Sequence, residues 1–312
     1  MSVSVLVSLA TTVLVPAALL AAMVFARIPT RADGVVLALL ALVCALAMMV
    51  VSPGWAWIGL HWRTVLLGGY AIALVVLVVL VRRRRWWRRH RVAQWVGLGI
   101  QGVVTAVFAV LLGLGVAGRS PPSTMLDLQV PLAEGRYYVF HGGASSVINR
   151  HAGVPAQRYA VDLVALNGEG RRAAGLAPDK MSAYAIYDRP VVAPCTGTVI
   201  DSRDGAPNTP LGGQDRTNPA GNHVTLHCRG HTVLLAHLAP DSVAVMAGEA
   251  VTAGQKLGRV GNTGNSTEPH LHIHAVQGRV TDHEALLRDA DAVAVRFPSG
   301  FAFRNQTIAV AR

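Results

Sequence analysis

The residues with the most distinctive chemistry are the alternating histidines of the segment 268–274, Glu-Pro-His-Leu-His-Ile-His. Side chains two residues apart on a β-strand share one face of the sheet. His270, His272 and His274 are therefore predicted to line one surface, while the two apolar residues between them enter a core. Two imidazoles on one rigid strand can reach a single metal ion, or a metal ion and its bound substrate. A polar strand face with chance histidines is the alternative.

A carboxylate within an apolar strand is the second candidate. Asp162 lies in the apolar segment 159–164, where burial is costly unless the carboxylate is paired or bound to a metal. The alternative is a surface aspartate on an edge strand. His237 ends the apolar run 234–238 and is a third candidate, although a lone histidine there is more often a satisfied core residue. The remaining histidines near turns are interpreted as structural or exposed: His223, His227 and His231.

Short strands are predicted to position these side chains. Apolar or alternating runs bounded by Gly, Pro, Asn and Asp recur through the second half of the chain, and helical periodicity is confined to about 282–292. The runs are 137–140, 159–166, 191–193, 197–201, 223–227 and 232–236. The polar stretch 204–221 indicates a long loop of the kind that borders a binding groove. A mainly antiparallel β domain is therefore predicted for residues 131–312.

The order of these elements resembles the lysostaphin-type family of zinc metallopeptidases, also called LytM-like or glycyl-glycine endopeptidases. The resemblance covers roughly residues 137–276. Besides the segments around Asp162, His237 and His272, its elements are Pro190-Val191-Val192-Ala193-Pro194, Gly197-Thr198-Val199, Gly221-Asn222, Val251-Thr252-Ala253-Gly254-Gln255-Lys256-Leu257-Gly258 and Gly261-Asn262-Thr263-Gly264-Asn265-Ser266. The resemblance implies a metallopeptidase that holds one Zn²⁺ per chain and cuts stem or cross-bridge peptides of peptidoglycan.

The resemblance also implies roles for individual residues. Asp162 and His272 become metal ligands, and His237 and His270 become catalytic residues. Such a site leaves Zn²⁺ an open position for a water whose pKa falls to about 7. One catalytic histidine would accept the proton of that water, and the other would stabilise the oxyanion or protonate the leaving amine. The same donor set also suits non-haem iron, but the β domain and the additional histidines favour zinc.

The first metal ligand is where this sequence departs from the family pattern. The usual ligand is a histidine four residues before the aspartate, and Arg158 stands there. His151 is the expected substitute, because some relatives have a longer spacing before a Gln-Arg-Tyr-Ala strand like the one at 157–160. His141 is the alternative first ligand, and a site without a third ligand is the other alternative.

The first third of the chain is apolar enough to cross a membrane. The mean hydropathy is +0.41, and long uncharged runs occupy about 3–26, 34–51, 64–81 and 92–117. Each has the roughly 18 residues that a spanning helix needs. A cleaved signal peptide is the alternative for the first run, although no Lys or Arg precedes it. Residues 1–117 are therefore predicted to form a transmembrane region of four helices, and residues 118–130 a linker.

The basic residues predict the orientation of these helices. The net charge is +11, yet from Ala117 onward 18 Lys and Arg face 16 Asp and Glu. Most of the excess lies in the segment 82–91, Arg-Arg-Arg-Arg-Trp-Trp-Arg-Arg-His-Arg. Its tryptophans could stack on nucleic-acid bases, but a positive cytoplasmic loop with interfacial tryptophans fits better. We therefore expect no nucleic-acid partner, a multi-pass protein of the cytoplasmic membrane and an extracytoplasmic β domain.

The cysteines fit that location. Cys195 and Cys228 lie in the outer domain, where an oxidising environment favours a disulfide between them. Two buried free thiols are the alternative. Cys44 lies within a predicted span and is interpreted as a small core residue.

The predicted function is a membrane-anchored zinc metalloendopeptidase whose partners are peptidoglycan peptides and the lipid bilayer. A catalytically inactive LytM-like domain, which binds the cell wall or activates other wall hydrolases, is the alternative that Arg158 keeps open. A polytopic scaffold whose outer domain only binds wall polymer is a third class. Metal content separates these classes, since the enzyme holds one zinc ion per chain and an inactive relative holds none.

Overall fold

A computed structural model of the chain describes residues 6–7 and 9–311. Its contacts divide the chain into two compact units, Met1–Val116 and Ala117–Arg312. The first unit is helical where it is described, and the second is mainly β.

The N-terminal unit consists of apolar helices. A π-helical turn, Ala10–Leu14, leads into α1 (Val15–Phe25), which is followed by α2 (Arg31–Val51), α3 (Trp55–Ile58), α4 (Trp62–Val81) and α5 (Val92–Ala117). Within the described residues, α2, α4 and α5 are long and apolar enough to cross a membrane. They correspond to the last three predicted spans. Of the first predicted span, residues 3–5 and 8 lie outside the described residues, and the helix described there, Ala10–Phe25, is shorter than a span.

The basic segment 82–91 packs against the start of α2. The Arg31 Nε donates to the Arg84 carbonyl oxygen at 3.0 Å, and His90 Nε2 lies 2.8 Å from Asp33 Oδ1. Alternation of the predicted spans also assigns the loop that holds Arg27 and Arg31 to the cytoplasm, and this loop therefore lies at the same end of the helical unit as the basic segment. The predicted orientation requires this, because loops on the same side of a membrane lie at the same end of the helices that they connect.

An 11-stranded sheet forms the C-terminal unit. Its strands are β1 (Met125–Asp127), β2 (Gly135–His141), β3 (Val161–Ala165), β5 (Gly197–Arg203), β6 (Asn222–Cys228), β7 (His231–Leu238), β8 (Ala250–Val251), β10 (Leu271–Gln277), β11 (Ala292–Phe297), β12 (Gly300–Phe301) and β13 (Thr307–Val310), while β4 (Pro190–Val192) and β9 (Lys256–Arg259) pair separately. The path β13-β2-β3-β10-β7-β6-β5-β8 is antiparallel throughout. The predicted mainly antiparallel β domain is confirmed.

Alternation along β10 separates the core from the candidate site. Leu271 and Ile273 belong to the main apolar core, and the intervening His272 and His274 point to the other face, as the period of two predicts. A second, smaller apolar cluster on that face includes Leu286, from the short helix α6 (His283–Arg288). This helix is shorter than the predicted helical region, because β11 already begins at Ala292. Residues 125–127 of the predicted linker form β1, which pairs with β11.

The predicted disulfide is confirmed: Cys195 and Cys228 are bonded, with their Cα atoms 6.2 Å apart. Cys44 is a buried free thiol of the helical unit. The bond joins the start of β5 to the end of β6, at one end of the sheet that carries the candidate site.

Removing this bond should destabilise the β unit without touching the candidate site. The double change Cys195→Ala and Cys228→Ala should lower the free energy of unfolding by about 2–4 kcal/mol, because a cross-link over 33 positions restricts the unfolded chain. Denaturant unfolding of both chains measures the difference. Alkylation of the oxidised wild type in denaturant should label Cys44 alone, and labelling of all three cysteines would contradict the bond.

Candidate metal centre

Asp162 lies at the middle of the site. It is 3% exposed within β3, and its cross-strand partner on β10 is His272. Its Oδ1 lies 2.9 Å from His272 Nδ1, and its Oδ2 lies 2.9 Å from His151 Nε2. The structure thus brings the three predicted metal ligands together, and one ligand atom from each lies within 4.8 Å of the others.

Asn149 holds His151 over Asp162. The Asn149 side chain is fully buried, accepts from the His151 backbone N–H at 3.1 Å, and caps the 3₁₀ turn Arg150–Gly153. Its amide nitrogen donates to the carbonyl oxygens of Gly143 and Ala160 at 2.9 and 3.1 Å. Because Ala160 directly precedes β3, these bonds fix His151 relative to the strand that carries the aspartate. The position of His151 therefore depends on a buried asparagine that the sequence pattern did not single out.

A chain of hydrogen bonds sets the tautomer of His272. His274 Nε2 lies 3.0 Å from the Leu286 carbonyl oxygen, which can only accept, so Nε2 carries the proton and Nδ1 accepts. His274 Nδ1 lies 2.9 Å from His272 Nε2, which must therefore donate. The lone pair of His272 Nδ1 is then directed at Asp162 Oδ1.

This arrangement fits a metal ion. Two acceptor atoms 2.9 Å apart, His272 Nδ1 and Asp162 Oδ1, repel each other unless a proton or a cation lies close to both. Burial lowers the pKa of His272 to about 4, so an additional proton on this imidazole is disfavoured at neutral pH. Two neutral imidazoles and a carboxylate are the donors that a catalytic Zn²⁺ takes, with one position left open.

The charges of the site agree with that donor set. Burial alone would raise the pKa of the Asp162 carboxyl, but the neighbouring imidazoles of His151 and His270 hold it well below its usual range. Burial also lowers the pKa of His274 to about 3 and that of His237 well below its ordinary value. Asp162 is therefore anionic and His272 neutral, the protonation states in which a carboxylate and an imidazole bind a metal.

His237 lies beside the three converging residues in an unusual conformation. Its φ of +66° is in the left-handed region, which a non-glycine residue adopts at a cost of order 1–3 kcal/mol. Backbone bonds to Ala220 and Gly261, at 3.0 and 2.9 Å, hold it there. Its Nδ1 donates to the Thr263 carbonyl oxygen at 2.8 Å. The free Nε2 is therefore the basic nitrogen.

His270 is held in the same tautomer. Its Nδ1 donates to the Glu268 carbonyl oxygen at 2.8 Å, and its Nε2 lies 3.8 Å from Asp162 Oδ1. The His237 and His270 ring centroids are 4.7 Å apart. The His270 Nε2 therefore lies near Asp162, and the His237 ring lies beside those of His270 and His272, with ring centroids 4.7 and 5.8 Å away.

A buried ion pair supports the turn before His270. The Arg172 guanidinium, 2% exposed in its side chain, lies 2.8 Å from the Glu268 carboxylate. Since the backbone oxygen of Glu268 accepts from His270, the ion pair helps to fix the residue that supplies this acceptor. The sequence does not predict this ion pair, because the two residues are almost a hundred positions apart.

His141, the alternative first ligand, is engaged elsewhere. The Arg304 guanidinium donates to its Nδ1, and burial followed by the charge of Arg304 lowers the His141 pKa well below its usual value. His141 is not part of the group whose ligand atoms converge. Arg158, at the family's usual ligand position, is exposed and packs its guanidinium over the ring of Tyr159 at 5.6 Å.

His274 should control metal affinity through His272. His274→Leu removes the acceptor that fixes the His272 tautomer, and loss of such a partner typically costs 10–100-fold in metal affinity. His274→Asn keeps an acceptor oxygen near the Nδ1 position and should restore most of that affinity. Competition between the full chain and a chromophoric chelator for Zn²⁺ measures this, with His231→Leu on β7 as the matched control. Equal affinity of His274→Leu and the wild type would contradict the role.

Comparison with known proteins finds similarity to a peptidase family and to a peptidoglycan endopeptidase. The model of peptidase family M23 matches residues 181–283, an interval that contains His237, His270 and His272 and begins after His151 and Asp162. A similar protein is the peptidoglycan DD-endopeptidase ShyA of Vibrio cholerae serotype O1, 37% identical over 94 residues, which cover 28% of this chain and 22% of that protein. This chain thus matches about a fifth of the relative's length.

Two solved structures are also similar. The catalytic domain of lysostaphin from Staphylococcus simulans is 26% identical, with a TM-score of 0.25, over 39% of this chain and 68% of that one. A zinc-containing peptidase from Vibrio cholerae is 24% identical, with a TM-score of 0.27, over 45% of this chain and 30% of that one. The family model and the sequence relative therefore show that residues 181–283 are similar to peptidase family M23.

Proposed function

We propose that the chain is a membrane-anchored zinc metalloendopeptidase that hydrolyses peptide bonds in peptidoglycan, in its stem or cross-bridge peptides. The observation that carries the proposal is the convergence of His151, Asp162 and His272, with the imidazoles of His237 and His270 adjacent to them. The family match and the peptidoglycan endopeptidase among its relatives support the substrate class.

The ion would be held by His151 Nε2, His272 Nδ1 and an Asp162 oxygen. When bound, it supplies a Lewis acid that polarises a carbonyl and lowers the pKa of a water. His237 and His270 then divide the proton transfers between them. One Nε2 would accept a proton from the attacking water. That proton would pass to the leaving amine, from the same ring or by way of the other ring, whose protonated form would also stabilise the oxyanion.

Both catalytic rings are ready for these roles without rearrangement. Their Nδ1 protons are committed to backbone carbonyl oxygens, of Thr263 for His237 and of Glu268 for His270. Each ring therefore cannot turn away without losing that bond, and each presents the same basic nitrogen. Catalytic groups that are preorganised in this way need no reorganisation at the moment of reaction.

The proposal is tested with the purified full chain in detergent. We expect one tightly held zinc ion and release of new amino groups from isolated peptidoglycan sacculi, with mass spectrometry of the products identifying the bond that is cut. Removal of the ion by a chelator should stop the release, and added Zn²⁺ should restore it. A chain that retains no zinc and releases nothing would favour the inactive, wall-binding alternative instead.

The proposed location is the cytoplasmic membrane, with the β unit on the extracytoplasmic side. The three long apolar helices and the basic segment 82–91 support it. A reporter fused after Arg91 should be active only in the cytoplasm, and a reporter fused after Arg312 only outside. Two reporters on the same side of the membrane would overturn this topology.

A further inference from the structure

A second group of potential ligands lies on the same face of the sheet, away from the centre just described. It consists of Asp201 on β5, His223 on β6 and His283 at the start of α6, whose ligand atoms lie within 4.8 Å of one another. His223 and His272 are both cross-strand partners of Ala236 on β7. Two strand spacings therefore separate them, roughly 10 Å.

Each ring nitrogen of His223 faces an oxygen acceptor, and a neutral imidazole can donate to only one of them. Its Nδ1 lies 2.8 Å from the Gly221 carbonyl oxygen, and its Nε2 lies 3.2 Å from Asp201 Oδ2. A neutral ring carries one N–H, so one of its lone pairs faces an oxygen whichever tautomer forms. Because the His223 side chain is only 2% exposed, water does not relieve this repulsion. A second proton or a bound cation is required.

His283 makes the cation the better solution. Its ring stacks on that of His223, with centroids 4.9 Å apart and an angle of 27°, so a protonated His223 would lie against a second imidazole. A neutral His283 ring offers a lone pair to an ion, and one ligand atom of each of the three residues lies within 4.8 Å of the others. The guanidinium of Arg203, on the same strand as Asp201, donates to Asn218 at 3.0 Å.

We propose that Asp201, His223 and His283 bind a second divalent transition-metal ion of the Zn²⁺ class. Two imidazoles and a carboxylate suit such an ion better than Ca²⁺ or Mg²⁺, which take oxygen ligands. The Asp201 side chain is 53% exposed, so the ion enters from solvent, completes its coordination with water and binds more weakly than at the Asp162 centre. The ion would connect β5 and β6 to α6 through its three ligands. The Leu286 carbonyl oxygen of that helix accepts from His274.

The test is a titration of the metal-free full chain in detergent with Zn²⁺. Isothermal titration calorimetry measures the number of bound equivalents, and differential scanning calorimetry measures the melting temperature. The wild type should bind two equivalents, one tight and one weaker, and the weaker one should raise the melting temperature. Asp201→Asn and His283→Asn should each lose the weaker equivalent and its thermal shift while they keep the tight one. His231→Asn and Asp179→Asn, which lie outside both groups, should keep both equivalents.

The Asp162→Asn variant separates this proposal from the proposed catalytic function. This variant should lose the tight equivalent and keep the weaker one. The two proposals are therefore tested independently of each other. The second site is wrong if the wild type binds a single equivalent that Asp162→Asn removes, since His223 and Asp201 are then an imidazolium–carboxylate ion pair. It is equally wrong if His283→Asn binds both equivalents with wild-type affinity.

Discussion

Replacement of Asp162 by Asn should abolish both zinc retention and peptide hydrolysis. The carboxylate is the anionic member of the converging group and contacts both imidazoles at 2.9 Å. Asn keeps the shape of the side chain but removes its charge. The stabilisation that a metal gives to a hydrolytic transition state is several kcal/mol, and each 1.4 kcal/mol is a factor of ten. We therefore expect hydrolysis to fall by about 10³-fold or more.

The measurement combines metal analysis of the purified full chain with amine release from sacculi. His151→Ala should behave like Asp162→Asn, because it removes the proposed ligand that Asn149 positions. Asp179→Asn, at an exposed position, is the matched control for loss of a carboxylate. Equal circular dichroism spectra and unfolding midpoints of the variants and the wild type would establish that the loss is chemical.

His141 provides the outcome that would contradict the ligand assignment. Its Nδ1 accepts from Arg304, so His141→Ala should keep its zinc. If His141→Ala releases zinc while His151→Ala retains it, the first ligand is His141 and the assignment is wrong. If neither substitution changes the zinc content, the ion is bound elsewhere and the centre proposed around Asp162 fails.

Two features of the site could be predicted because they depend on local periodicity. The period of two along β10 separates His272 and His274 from Leu271 and Ile273, and the structure has this division. Asp162 is conspicuous because burial of a lone carboxylate among apolar residues is costly. In both cases the sequence alone contains the physical constraint, and the tertiary structure satisfies it.

Other features depend on contacts between distant segments, and no local pattern predicts them. His151 lies on a 3₁₀ turn that places it beside Asp162. The buried Asn149 caps this turn and donates to the carbonyl oxygens of Gly143 and Ala160. His274 gains its role from the carbonyl oxygen of Leu286, which belongs to a later helix. His223, interpreted from the sequence as structural or exposed, is buried between Asp201 and His283, which is apparent only once α6 covers the sheet.

The membrane region shows a similar limit. Length and hydropathy identify α2, α4 and α5, and their ends agree with the predicted spans to within three residues. The first predicted span contains Pro16 and is described as a π-helical turn followed by an 11-residue helix. Hydropathy alone cannot separate a continuous spanning helix from such a composite, because both are equally apolar.

His270→Ala should abolish hydrolysis while most of the zinc is retained. His270 Nε2 lies 3.8 Å from Asp162 Oδ1, and the ring is not part of the converging ligand group. Its expected contribution is proton transfer, which is typically worth 10²–10⁴-fold in rate. Because the substitution removes a group that acts in the transition state, we expect kcat to fall and KM to change little.

The contrast with Asp162→Asn makes this prediction decisive. Both variants should be inactive, but only Asp162→Asn should lose its zinc, and His231→Ala should lose neither property. His237→Ala should resemble His270→Ala, since the two rings share the proton transfers and both present a free Nε2. Loss of zinc from His270→Ala, in parallel with its activity, would make His270 a ligand. The division between the three metal-binding residues and the two catalytic residues would then have to be redrawn.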